Sequence, residues 1–195
     1  MASRKPNQKK SWPSSERRRD VMDYFVMQQD ERYTDTPVLQ NIRQKIDIRH
    51  MNRLRSHQIA DTTIFQVKAS TDTEYLDLLS NQLYLMSEKL KKLIAMYEPE
   101  CIFKHIPLMD QFNKKQSLYF LPFFEEVEAL SPSSEFNADR SVIKKLVLQG
   151  EKVAKKRIFR VQESEQPLII VRLDVAESIL RRDMIGVSLK KVLVE

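Results

Sequence analysis

The sequence predicts an α+β fold, with a mainly helical N-terminal half built around one long helix at about 71–98 and a smaller C-terminal portion of one helix and an antiparallel sheet. Three observations predict it. Leu76, Leu79, Leu83, Met86, Leu90, Leu93 and Tyr97 recur at alternating steps of three and four, the a/d stripe of a helix wound at 3.5 residues per turn. The turn-rich run Ser131-Pro132-Ser133-Ser134 opens a loop, 131–138, that divides the chain. Beyond it, two runs rich in branched residues, 157–162 and 168–173, are joined by a connection of hairpin length.

Composition bounds the function before any motif does. With 195 residues, 42% of them hydrophobic, the chain can bury a sizeable core. No apolar run approaches the roughly 18 residues of a membrane helix, and no hydrophobic segment follows the basic N-terminus, so a soluble intracellular protein is expected. The single cysteine, Cys101, cannot form an internal disulfide, in keeping with a reducing compartment. The net charge of +6 favours nucleic acid, chromatin or an acidic partner surface. Gly150 and Gly186 are the only glycines, which rules out phosphate-cradling loops, dinucleotide fingerprints and nucleophile elbows, all of which need several glycines close together.

Taken in order, the chain opens with a basic tail, 1–15, too polar to offset the entropy of ordering it. Arg4-Lys5 and Arg17-Arg18-Arg19 have the spacing of a two-part nuclear import signal. Trp12 could stack on a base, fill a partner's pocket or pack on the core. From 16 to 130 a mainly helical core is expected. Ser15 can cap a helix running to Gln28, and Thr36-Pro37 starts a second helix along which Ile42, Ile46, Met51 and Leu54 form a broken apolar stripe. Arg43, Lys45, Arg49, His50, Arg53, Arg55 and His57 form a basic collection on the same segment, suited to phosphates or simply solvated. Residues 62–69 read as a strand. The long helix follows, with Thr71 and Glu74 in capping-box spacing, Pro99 past its end, and a length of roughly 39 Å. Residues 101–109 read as extended, and Pro122 opens a helix to Leu130 through the densest aromatic cluster of the chain.

In the portion 139–195, Asp139 can cap a helix carrying Lys144, Lys145, Lys152, Lys155 and Lys156 on its outer surface. The hairpin follows, then a short helix from Asp174 and a last strand over 187–194 after Gly186. A basic helix before a hairpin is also the order at the reading end of a winged helix.

The search for chemistry finds no constellation. Cys101 and His105 lie between prolines that oppose a helix, and structural zinc needs four ligands. Glu125, Glu126 and Glu128 point in different directions along the chain. Neither a catalytic residue, a cofactor site nor a metal site is assigned, and a non-enzyme is expected. The function expected is a nuclear subunit of a chromosome- or nucleic-acid-associated assembly. Phosphates would meet Arg17, Arg18, Arg19, Arg43, Arg49, Arg53, Lys144, Lys145, Lys155 and Lys156, and partner subunits would meet a coiled-coil seam of Leu76, Leu79, Leu83, Met86, Leu90 and Leu93. DNA or RNA and other protein subunits are the expected partners. The alternative is a protein–protein adaptor without nucleic-acid binding, whose basic surface meets an acidic protein.

Overall fold

A computed structural model describes residues 22–139 and 141–195. Arg17, Arg18, Arg19, Trp12 and the basic tail lie outside the described residues.

The described chain is mostly β, which corrects the expected fold class. It begins with β1 (Tyr24–Gln29) and β2 (Val38–Leu39), a short helix α1 (Ile42–Lys45) and two single-turn helices at Ile48–His50 and Ser56–Gln58. Strands β3 (Phe65–Lys68), β4 (Leu78–Leu79) and β5 (Leu85–Ser87) lead into α2 (Glu88–Tyr97). The long hairpin β6 (Ile102–Asp110) and β7 (Lys115–Phe123) follows, then β8 (Glu126–Val127), β9 (Glu135–Phe136), β10 (Ile143–Lys145) and β11 (Val147–Leu148). The chain closes with α3 (Gly150–Val153), β12 (Ile158–Val161), β13 (Ile169–Arg172), α4 (Leu173–Leu180) and β14 (Val187–Val194).

Two six-stranded sheets carry the fold, in the orders β11-β14-β1-β13-β12-β8 and β2-β3-β6-β7-β5-β4, and β9 and β10 form a separate ribbon. The first sheet joins β1 and β8, which precede the 131–138 loop, to β11, β12, β13 and β14, which follow it.

The sheets are buried on both faces, and side-chain alternation sorts the core. Along β1, Met27 and the half-buried Phe25 face a central core while Tyr24 and Val26 face the opposite side. The central core takes Leu90, Leu93 and Ile94 of α2, Val175, Ala176 and Ile179 of α4, and residues of both sheets. Beyond the second sheet a further core is closed by Ile46 and Ile59; beyond the first, another is closed by Leu148 and Val153.

The 71–98 helix is not formed as a unit. Only Glu88–Tyr97 is helical, and its cap is Ser87, whose Oγ accepts from the Leu90 amide at 3.2 Å. The step of three and four across 76–86 is coincidental with a different burial. Leu83, Tyr84, Leu85 and Met86 are all buried, a continuous run that a one-sided helical stripe does not require and a two-faced strand does. Leu76, Leu79 and Leu83 therefore enter the core beyond the second sheet, and Met86, Leu90 and Leu93 enter the central core. There is no coiled-coil seam among the described residues.

The other expected helices fail for related reasons. Residues 24–29 alternate and pair with β13 and β14. Pro122 sits inside β7 opposite Phe103 rather than in a first helical turn. The described part of the lysine-bearing segment, 141–153, forms β10, β11 and one turn of helix rather than a recognition helix, and the winged arrangement is absent among the described residues.

Candidate protein-binding surface

Residues 41–59 form a strap over the second sheet. Ile46 and Ile59 are buried at its two ends, and between them the chain makes tight turns held by side chains that bond to their own backbone. Asp47 accepts from the Arg49 amide at 3.0 Å and grips the Arg49 guanidinium through Nε at 3.0 Å and Nη2 at 2.7 Å. That paired hydrogen bonding holds the Asp47 carboxyl down at about 2. Asn52 accepts from the Arg55 amide at 2.9 Å and donates to the Arg49 carbonyl at 3.2 Å. The Ser56 hydroxyl donates to the Arg53 carbonyl at 2.8 Å, and His57 Nδ1 lies 3.0 Å from the Leu54 carbonyl.

Two long-range bonds fix the strap to the rest of the molecule. Arg160 Nη1, from β12, donates to the Met51 carbonyl at 2.5 Å, and Arg53 Nη2 donates to the Glu100 carbonyl at 3.1 Å. Arg160 also pairs with Glu126 at 3.2 Å, and its buried Nε has no hydrogen-bond partner among the described residues.

Strap and sheet edge enclose an open cleft of roughly 480 Å³ lined by Ile48, Arg49, Met51, Asn52, Leu54, Arg55, Glu126 and Arg160. Ile48 is 59% exposed and Leu54 85% exposed, although both are large and apolar. The strap sequence 41–58 holds five basic residues, Arg43, Lys45, Arg49, Arg53 and Arg55, against one carboxylate, Asp47. Of these, only Arg49 makes an ion pair among the described residues; Lys45 and Arg53 donate instead to the Ile64 and Glu100 carbonyls.

The remaining predicted basic residues lie elsewhere and do not join this surface. Lys144 and Lys145 sit on β10, where Lys145 Nζ lies 3.8 Å from Glu135. Lys155 and Lys156 follow α3, and Lys156 Nζ is 2.5 Å from Glu125. Of the expected phosphate contacts on the strap, Arg43, Arg49 and Arg53, only Arg49 lines this cleft, and Ile48, Glu126 and Arg160, which line it with Arg49, were not among the residues expected to form a site. The signal for the turns was Asp47 and Asn52, short polar side chains at turn-forming positions; nothing local connects Arg160 to Met51.

A second cleft of roughly 710 Å³ opens beside β1, with Gln28, Gln29, Ser80, Asn81, Gln82 and Gln166 on its walls. Gln29 is committed to the Ser80 backbone and hydroxyl at 2.9 and 3.1 Å, so this wall is structural. Among the described residues no cluster of three or more His, Cys, Asp or Glu side chains is placed to hold a metal ion. Cys101 is half-buried, its thiol pushed up to about 12 chiefly by desolvation.

The model of the Immunity protein family (Imm11) matches residues 9–194. No curated protein matches the sequence. Immunity of this kind is a bacterial function, directed against toxins. Bacteria have no nucleus, so the match overturns the expected nuclear location and the chromosome- or nucleic-acid-associated subunit, and the DNA- or RNA-binding role falls with them. The adaptor alternative fits the match better, with another protein as the class of partner. By a family match that spans nearly its whole length, the chain belongs to the Immunity protein family (Imm11).

Proposed function

We propose that this protein neutralises a bacterial toxin by binding it directly, without catalysis, in the bacterial cytoplasm. The family match over residues 9–194 carries this reading. The described chemistry supports it. Two strongly perturbed side chains serve the core: the wholly buried Tyr84 hydroxyl donates to the Met27 carbonyl at 2.9 Å, and that of Tyr119 to the Leu76 carbonyl at 2.7 Å. Groups committed in this way hold the structure and are not poised to react.

Co-expression with the toxin against which the protein protects tests the reading. Growth is expected to recover in step with the amount of this protein, and the two chains are expected to co-purify as a stoichiometric complex. Recovery through chemical alteration of the toxin, with no complex formed, would mean that the protein acts as an enzyme and would overturn the proposal.

A further inference from the structure

Resting on that reading, we propose that the strap turn 47–55, with Leu54 as its apolar anchor and Arg55 beside it, is the element that docks the toxin, and that the toxin offers it an apolar pocket rimmed with carboxylates.

Three observations converge on this turn. Leu54 and Ile48 are exposed on the wall of one cleft, so their apolar surface is contiguous with a concavity and not scattered singly. The charge around them is positive in balance: Arg49 and Arg160 are paired with Asp47 and Glu126, and the Arg55 guanidinium, which has no ion-pair partner among the described residues, is left in excess. An apolar side chain flanked by arginine is the composition that dominates protein interfaces, and its complement is an acidic rim.

The turn is also ordered in advance. Leu54 is followed by a residue whose amide is held by Asn52 and preceded by one whose carbonyl accepts from Ser56 and whose guanidinium reaches Glu100. Arg160 secures the turn from the opposite side through the Met51 carbonyl. Little backbone freedom remains to be lost when a partner closes over the anchor, which favours tight association from a small contact. The exposed Phe112 at the tip of the β6–β7 hairpin, 75% exposed, is the natural comparison, because its neighbours Asp110 and Asn113 bond to each other and it lines neither of the two clefts described above.

The experiment uses the full chain and the toxic domain against which it protects. Leu54→Asp and Arg55→Glu, which break no ion pair found here, are compared with Phe112→Asp by calorimetry and by association kinetics at several salt concentrations, after melting curves establish that each variant is folded. Leu54→Asp is expected to weaken binding by about a hundredfold and Arg55→Glu by about tenfold. Arg55→Glu should also flatten the salt dependence of the association rate, while Phe112→Asp binds like the parent. Affinities within about twofold of the parent for both strap variants would overturn the assignment, as would loss of binding in Phe112→Asp alone. If the unaltered protein forms no complex, the toxin-binding reading itself fails and the docking assignment goes with it; an intact complex with indifferent strap variants removes only the latter.

Discussion

Tyr84 shows how single residues in this protein reconcile polar groups with a dry core. Its ring is buried between both sheets and its hydroxyl is satisfied by one backbone carbonyl, Met27. Tyr84→Phe is expected to lower stability by about 1–2 kcal/mol in urea unfolding, because the Met27 carbonyl loses its donor while the packing stays. Asp110 is a second case. It is buried and accepts from the Asn113 amide at 3.0 Å, the Asn113 side chain at 2.8 Å and the Tyr75 hydroxyl at 2.9 Å, bonds that hold its carboxyl below the usual carboxylate range. A carboxyl depressed in the folded state stabilises fully above its unfolded value and loses that contribution as pH falls through the lower folded value. Melting temperature should therefore drop as pH falls below about 4, and the drop should be smaller in Asp110→Asn, which keeps the shape without titrating. An equal acid slope in both proteins would show that Asp110 is not the group responsible.

Among the elements, α2 and the turn before β14 carry the clearest consequences. Leu90 is fully buried against α4 and both sheets, and Leu90→Ala should cost about 2–5 kcal/mol, detectable as a lower urea midpoint. Gly186 is required by its backbone. Its φ of 73° is left-handed, and a Cβ there would lie 2.6 Å from Leu76 Cδ1 and 2.7 Å from Leu76 Cβ. Gly186→Ala should destabilise by about 2–4 kcal/mol, and because the Gly186 carbonyl accepts from Asp30 at 3.0 Å, hydrogen exchange should rise first in that turn. Element type was legible where burial is one-sided or flanked by clear turns. The strands over 158–161, 169–172 and 187–194 and the helix 173–180 fall close to their expected places. It was illegible over 71–87, where Leu76, Leu79, Leu83 and Met86 happen to fall at helical spacing but are buried on two sides of a sheet.

At the scale of the whole molecule, the first sheet and the central core bind early and late parts of the chain together. β1 lies between β13 and β14, and α2 packs with α4, where the Tyr97 and Ser178 hydroxyls meet at 2.5 Å. Urea unfolding should therefore be a single transition, coincident by circular dichroism and tyrosine fluorescence, and residues 1–130 expressed alone should remain unfolded. Two separate transitions would show that the chain is divided at the 131–138 loop. The basic balance, the absence of glycine-rich phosphate loops, the lone cysteine and the cluster of arginines over 43–55 are legible in the chain alone, because composition and local spacing need no knowledge of distant partners. That the leucines of 76–93 are core, that Leu54 is left in solvent while Ile46 and Ile59 are covered, and that Arg160 crosses to Met51 follow from the folded arrangement. Which face of a segment is buried depends on pairings across more than a hundred residues, and periodicity within a window of about a dozen residues carries no record of them.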